Sequence, residues 1–155
     1  MSASTYSPAP RGRWIAPQAT GAVDARLHVP GSKSLTNREL VLAAIADGPG
    51  LVTAPLHSDD SARMIDALRA LGVGVEEQPG SGGFGPDLRI SPARLRGGAT
   101  IDCGQAGTVM RFIAPLAGLA DGDVLITAHE TALHRPMGAM IHALRDLGVD
   151  VEDHG

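Results

Sequence analysis

A single cysteine, Cys103, stands in a chain of 155 residues. It excludes an intrachain disulfide and any cysteine-based zinc cluster, and it reads as a small buried apolar residue. Aromatic side chains are almost as scarce, at 3%, so the core must be aliphatic, built from Val, Leu, Ile, Ala and Met. No apolar stretch approaches the roughly 18–20 residues that a membrane-spanning helix needs, and no membrane association is expected. Runs of Lys or Arg are missing too, and the formal net charge is −4, which argues against general nucleic-acid binding. An anionic ligand would have to be held by locally placed cations against the overall charge. Residues 1–9 lack the basic start and apolar centre of a secretory leader, so a cytoplasmic location is expected. The histidines, among them His28, His57, His129, His142 and His154, stand at no metal-ligand spacing.

What is present suits a soluble globular domain. Hydrophobic residues make up 43% of the chain, ordinary for a folded protein of this size, and abundant glycine implies many turns. Residues 1–20, rich in Ser, Ala and Pro, read as a loose arm in which Trp14 and Ile15 could dock. A short strand is expected at 25–29, broken by Pro30 and Gly31. A helix follows at 37–46 with Leu40, Val41, Ala44 and Ile45 along its body, then a strand at 51–54. The next helix is the best marked. Ser58 suits the N-cap, Asp59 and Asp60 favour the helix dipole, and Met64, Ile65, Leu68 and Leu71 keep the helical period. Gly72 fits just beyond the helix end. A strand at 73–77, a Gly-rich loop at 79–86 and a strand near 88–90 complete this region. Further on the pattern predicts a strand at 100–103, a helix at 106–119 with Pro115 straining its interior, a strand at 124–127, a helix at 137–147 and a strand at 149–152.

The order repeats, and so do the residues. The stretch 64–76 aligns with 140–152, and ten of the 13 positions are identical. Upstream, Gly31 aligns with Gly104, Arg38 with Arg111, and Ala46-Asp47-Gly48 with Ala120-Asp121-Gly122. The chain therefore reads as two copies of a β-α-β-α-β unit, the first over 21–98 and the second over 99–155, after the arm at 1–20. In the second copy no partner strand follows the one at 149–152. This predicts a truncated product with an unpaired sheet edge.

Three segments have the residue types of an anion site. Pro30-Gly31-Ser32-Lys33-Ser34 leads through Asn37 to Arg38 as strand, tight turn and helix start. Free N–H groups at a helix N-terminus attract anions. Lys33 adds charge, Ser34 a hydroxyl donor and Arg38 a planar fork matched to phosphate or carboxylate. The plainer reading is a backbone turn with two solvated cations, and composition alone favours it slightly. A nucleotide-binding loop is excluded, because Ser32 stands where the Walker pattern needs Gly before Lys. Gly104-Gln105-Ala106-Gly107-Thr108 leads to Arg111 in the same way. Gly107 would admit a close backbone approach, Gln105 and Thr108 are neutral donors, and Arg111 fits an anion ligand or a structural ion pair equally. Lastly, Arg135-Pro136 puts a cation just before a helix N-terminus. That position suits a cation if an anion lies between them; a surface arginine is the commoner case. Asp59 and Asp60 read as helix capping.

Taken together these segments resemble EPSP synthase, the 3-phosphoshikimate 1-carboxyvinyltransferases. Pro-Gly-Ser-Lys-Ser-x-x-Asn-Arg at 30–38, Ser-Asp-Asp at 58–60, Gly-x-Ala-Gly-Thr-x-x-Arg at 104–111 and Arg-Pro at 135–136 follow the family's order and spacing from about residue 22 onward. The resemblance implies an α/β (α+β) fold of repeated β-α-β-α-β-β units, of which two of the three in one enolpyruvyl transferase lobe are present. It implies transfer of an enolpyruvyl group from phosphoenolpyruvate to the 5-hydroxyl of 3-phosphoshikimate, with release of phosphate and no metal or organic cofactor. By the same resemblance Lys33 contacts both substrates and is the catalytic residue, and Ser34 and Arg38 bind 3-phosphoshikimate. Gly107 and Arg135 bind phosphoenolpyruvate, with Gln105, Thr108 and Arg111 as further contacts. Gln105 replaces the Asn often found there, and Phe112 stands where many members have Pro. Gly107 is the residue type of glyphosate-sensitive members. The family's remaining acid–base groups and ligands have no counterpart here, so the chain is expected to hold part of the active site and to need the remainder of the enzyme as its partner.

Two other readings compete. A UDP-N-acetylglucosamine enolpyruvyl transferase shares fold and donor. However, its first motif has Lys-Asn after glycines, and its reactive cysteine precedes the Arg-Pro pair, where this chain has Ala132-Leu133-His134. The other is an inactive fragment that binds anions.

Overall fold

The computed structural model describes residues 16–153. The expectations for residues 1–15, including docking of Trp14 and Ile15, and for His154 lie outside them. Helix α1, Lys33–Ala44, begins four residues before the expected start at 37. The apolar period starts only at Leu40; the first turn holds one apolar residue, Leu35, which is exposed and marks no buried face. The turn is fixed instead by Ser32, whose extended backbone and hydroxyl, 3.5 Å from the Leu35 N–H, cap the helix. The inward face carries Thr36, Asn37, Leu40 and Ala44. Strand β1, Gly50–Val52, leads to helix α2, Asp59–Ala70. Here the expected Ser58 cap forms, closed reciprocally by Ser61, with Asp59 and Asp60 in the first turn. Met64, Ala67 and Leu68 point inward.

Strands β2, Gly74–Gln78, and β3, Asp87–Ser91, pair antiparallel, with Val75 opposite Ile90. β1 pairs with the other side of β3, Val52 opposite Leu88, so the sheet order is β1-β3-β2. The loop between β2 and β3 is anchored by Asp87. Its carboxylate accepts the Ala54 N–H at 2.7 Å and the Ser81 N–H at 3.2 Å. Strand β4, Ala99–Asp102, helix α3, Gly107–Ala117, and strand β5, Val124–Thr127, form a parallel βαβ unit with Ile101 opposite Ile126. Pro115 lies within α3, whose end falls short of the expected 119.

Three expectations differ from the structure. Residues 25–29 are irregular and their side chains exposed, Leu27 to 80%. Residues 149–152 are irregular as well. A strand exists by hydrogen-bonding to a neighbour, and neither segment has one among the described residues. A short helix unmarked by any period, α4, Glu130–Leu133, precedes α5, Gly138–Asp146.

The core is aliphatic, as composition required. Leu40, Met64, Leu68, Leu71, Leu88 and Ile90 are wholly buried, continuous with Val109 and Ile113 of α3. Each such side chain contributes about 1.5–3 kcal/mol by leaving water. Helices α1, α2 and α3 pack on one another within this core. Cys103 is buried in it too, as expected, and burial, followed by the neighbouring Asp102 charge, pushes its thiol up to about 11.

Candidate anion-binding site

Two polar links bring the starts of three helices together. Lys33, the first residue of α1, reaches Asp60 in the first turn of α2 at 3.0 Å. Arg63, one turn along α2, donates to the Asp102 carboxylate at 2.7 Å and to the Asp102 carbonyl at 3.2 Å, just ahead of α3. The Asp102 carboxylate also accepts the Gly104 N–H at 2.8 Å. That hydrogen bond first, and Arg63 second, hold the Asp102 carboxyl below its ordinary value of 3.8. The turn at Gly104 has φ +51°, and a Cβ there would meet the Arg63 guanidinium. Glycine is therefore required twice over at this position, by backbone conformation and by the arginine lying against it.

The N-termini of α1, α2 and α3 thus share one end of the molecule, and their dipoles concentrate positive potential there. Helix α2 neutralises its own start with Asp59 and Asp60. Helices α1 and α3 have no acid in the first turn, and no side chain caps α3.

Arg135 completes the end of α3. A Cβ on Gly107, the first residue of α3, would collide with the Arg135 guanidinium. The close approach foreseen at Gly107 is therefore made by the chain's own cation. Arg135 does not directly precede α5 as expected. It leaves the C-terminal turn of α4, where its N–H donates to the Ala132 carbonyl at 3.1 Å. The helix start it faces is that of α3. Arg111 donates to the Pro136 carbonyl at 3.3 Å, so it braces the Arg135 loop through backbone and forms no carboxylate pair among the described residues. Arg38 lies with its guanidinium carbon 5.9 Å from the centre of the Phe112 ring, which joins α1 to α3. Ser34 is exposed in the first turn of α1; Gln105 is exposed and Thr108 half-buried at the start of α3.

Asp60, Arg63 and Asp102 were not among the sequence-derived site residues. Asp60 has an N-terminal helix position that already explains it, and Arg63 has no local signal, since its partner is in another part of the chain. Asn37 also belongs to this region. It is fully buried, with neither amide atom hydrogen-bonded among the described residues. Such a group costs on the order of 1–3 kcal/mol, a departure from consistency typical of functional segments. By contrast, a shallow depression of 410 Å³ at the opposite end, beside the C-terminus of α1, has Asp47 as its one charged lining residue. It does not suit an anion.

Residues 17–155 match the family EPSP synthase (3-phosphoshikimate 1-carboxyvinyltransferase). The chain belongs to this family. A curated 3-phosphoshikimate 1-carboxyvinyltransferase from Kocuria rhizophila is 54% identical over 147 residues, which is 92% of this chain and 33% of the relative. The solved EPSP synthase from Acinetobacter baumannii superposes with a TM-score of 0.72 at 28% identity, over 83% of this chain and 29% of that one. A second structure of the EPSP synthase from that organism gives the same values. The chain thus spans 33% of the length of the curated relative it matches. The shared mixed α/β fold is that of the EPSP synthases.

Proposed function

We propose that this chain forms one wall of an EPSP synthase active site and works in the shikimate pathway, in the cytoplasm, joined to the remainder of the enzyme. The reaction would move the enolpyruvyl group of phosphoenolpyruvate onto the 5-hydroxyl of 3-phosphoshikimate. The hydroxyl oxygen gives up its proton and adds to the enol carbon while the methylene carbon takes up a proton; the tetrahedral adduct then loses a proton from that methyl group and expels phosphate, which restores the double bond. Both substrates are anions, and the main demand is to hold them together and to stabilise developing charge. We read residues 21–98 and 99–155 as two successive units of one lobe.

One observation carries this reading. Lys33 and Arg135 both sit at helix N-termini, where the dipole disfavours a cation. An anion between cation and helix end turns that repulsion into two attractions. In this reading Lys33, held by Asp60, is the catalytic residue and touches both substrates. Ser34 and Arg38 bind 3-phosphoshikimate. Arg135 and the backbone at Gly107 take phosphoenolpyruvate, with Gln105 and Thr108 as neutral donors nearby. Arg111 serves by bracing the Arg135 loop.

An amide NMR titration with 3-phosphoshikimate, with UDP-N-acetylglucosamine as control, tests the assignment. Saturable shifts at Lys33, Ser34 and Arg38 for 3-phosphoshikimate alone are expected. Shifts with the control instead would favour the other enolpyruvyl transferase, and no shifts with either would remove the substrate assignment. Phosphate release by this chain alone is expected to be negligible; sustained turnover would show that the wall is a complete site.

A further inference from the structure

Five cations surround the shared helix ends: Lys33, Arg38, Arg63, Arg111 and Arg135. Two are tied to carboxylates, Lys33 to Asp60 and Arg63 to Asp102. Arg38 is held differently. Among the described residues it has no carboxylate within ion-pair distance, and its one hydrogen bond is a long contact of 3.4 Å to the Ser34 carbonyl. What it does have is the ring of Phe112, 5.9 Å from its guanidinium carbon and half-buried against the core. Tyr6, Trp14, Phe84 and Phe112 are the chain's whole aromatic complement, and one of the four is placed here.

The two ways of holding an arginine differ in what they leave for a ligand. A carboxylate neutralises the charge and occupies the in-plane N–H donors, which a phosphate must then displace. An aromatic face attracts the cation through its quadrupole, leaves the charge in place and makes no claim on the in-plane donors. It also limits the side-chain rotamers, so less freedom is lost when the anion arrives. Phe112 follows Arg111, which braces the loop of Arg135, so one turn of α3 supports both arginines.

We propose that Phe112 is a positioning residue of the anion site, a platform that holds the Arg38 guanidinium oriented and un-neutralised for an anionic group of 3-phosphoshikimate. The proposal rests on the assignment of Arg38 to 3-phosphoshikimate. It gives a role to a residue at which this chain departs from the proline of many relatives.

The test compares the wild-type chain with Phe112→Leu, Phe112→Tyr and Arg38→Lys by NMR, first without ligand and then with 3-phosphoshikimate and inorganic phosphate. Without ligand, the Arg38 side-chain δ and ε protons are expected upfield in the wild type and in Phe112→Tyr, through the ring current, and at ordinary positions in Phe112→Leu. With 3-phosphoshikimate, Phe112→Leu is expected to bind about two- to five-fold more weakly, the fold-change of an exposed cation–π contact. Phe112→Tyr is expected to restore wild-type affinity. Arg38→Lys keeps the charge and loses the fork, and should weaken binding at least as much as Phe112→Leu. Equal Arg38 shifts in the wild type and Phe112→Leu would overturn the platform. Intact ring-current shifts with unchanged affinity in Phe112→Leu would overturn the positioning role alone. A wild type that shows the shifts and binds neither anion would overturn the site reading and this proposal with it. If Phe112→Leu fails to fold, Phe112→Met supplies the same comparison with an unbranched side chain.

Discussion

Gly107 has no side chain, and the Arg135 guanidinium uses the space. Gly107→Ala is therefore expected to displace Arg135 rather than to perturb the helix, which alanine favours. If Arg135 is a ligand, the loss of one charge-assisted contact weakens phosphoenolpyruvate binding by roughly 10- to 100-fold, while thermal stability changes little. Calorimetric titration of the variant checks this, and unaltered affinity would mean that Arg135 is a surface cation. The turn before α3 carries a second expectation. The folded Asp102 carboxyl lies below its ordinary 3.8, through the Gly104 N–H and Arg63. Its contribution is complete above the unfolded value and disappears as pH falls through the lower folded one. Asp102→Asn should thus lower the melting temperature at neutral pH and flatten its decline as pH falls through and below the ordinary carboxylate range. Parallel melting curves for the two proteins over that range would contradict the assignment. At this scale the sequence offers Lys, Arg and Gly at helix starts as candidate ligands, because each has a local rationale there. Arg63 and Phe112 were illegible as site residues, since each acts on a residue far along the chain.

Among the elements, α2 was readable almost to the residue. Cap, acidic first turn, period and terminal glycine all agree there. The start of α1 was not, because the one apolar residue of its first turn, Leu35, faces solvent and falls outside the buried period. Residues 25–29 and 149–152 were misread for the opposite reason: alternation predicts a face, while a strand also needs a neighbour. The repeat makes this contrast measurable. Leu71 and Leu147 occupy equivalent positions in the aligned stretches, yet Leu71 is 0% exposed and Leu147 81%. Leu71→Ala is expected to cost about 2–5 kcal/mol, whereas Leu147→Ala in this chain should stay within about 0.5 kcal/mol. Urea unfolding of both variants decides it. Similar losses would show that α5 is covered, for instance by a second copy of the chain.

For the molecule as a whole, the aliphatic core and the mixed α/β class followed from composition and periodicity. The convergence of three helix ends did not, because it depends on how α1, α2 and α3 stack, and periodicity gives the buried face of a helix without its crossing partner. The ion pairs Lys33–Asp60 and Arg63–Asp102 fasten that convergence from the outside, with half-exposed side chains. Pairs of this kind add little stability, typically below about 1 kcal/mol each. Their value is geometric: they set the spacing of the helix ends, and stability is left to the leucine-rich interior.

The lone cysteine gives this arrangement a clock. Cys103 lies between the Asp102 carboxylate and the Gly104 turn, sealed from solvent, and its thiol ionises only near 11. A disulfide reagent can reach it only when the turn opens, so the labelling rate counts openings. At mildly alkaline pH, modification should be far slower than that of an unfolded cysteine and should accelerate with urea well before global unfolding if the turn opens locally. An anion that closes over the helix ends must slow the clock by the factor 1 + [L]/Kd. Occupancy of the site could then be timed by colorimetry, with no catalytic step required. A labelling rate indifferent to 3-phosphoshikimate would place its binding away from this turn.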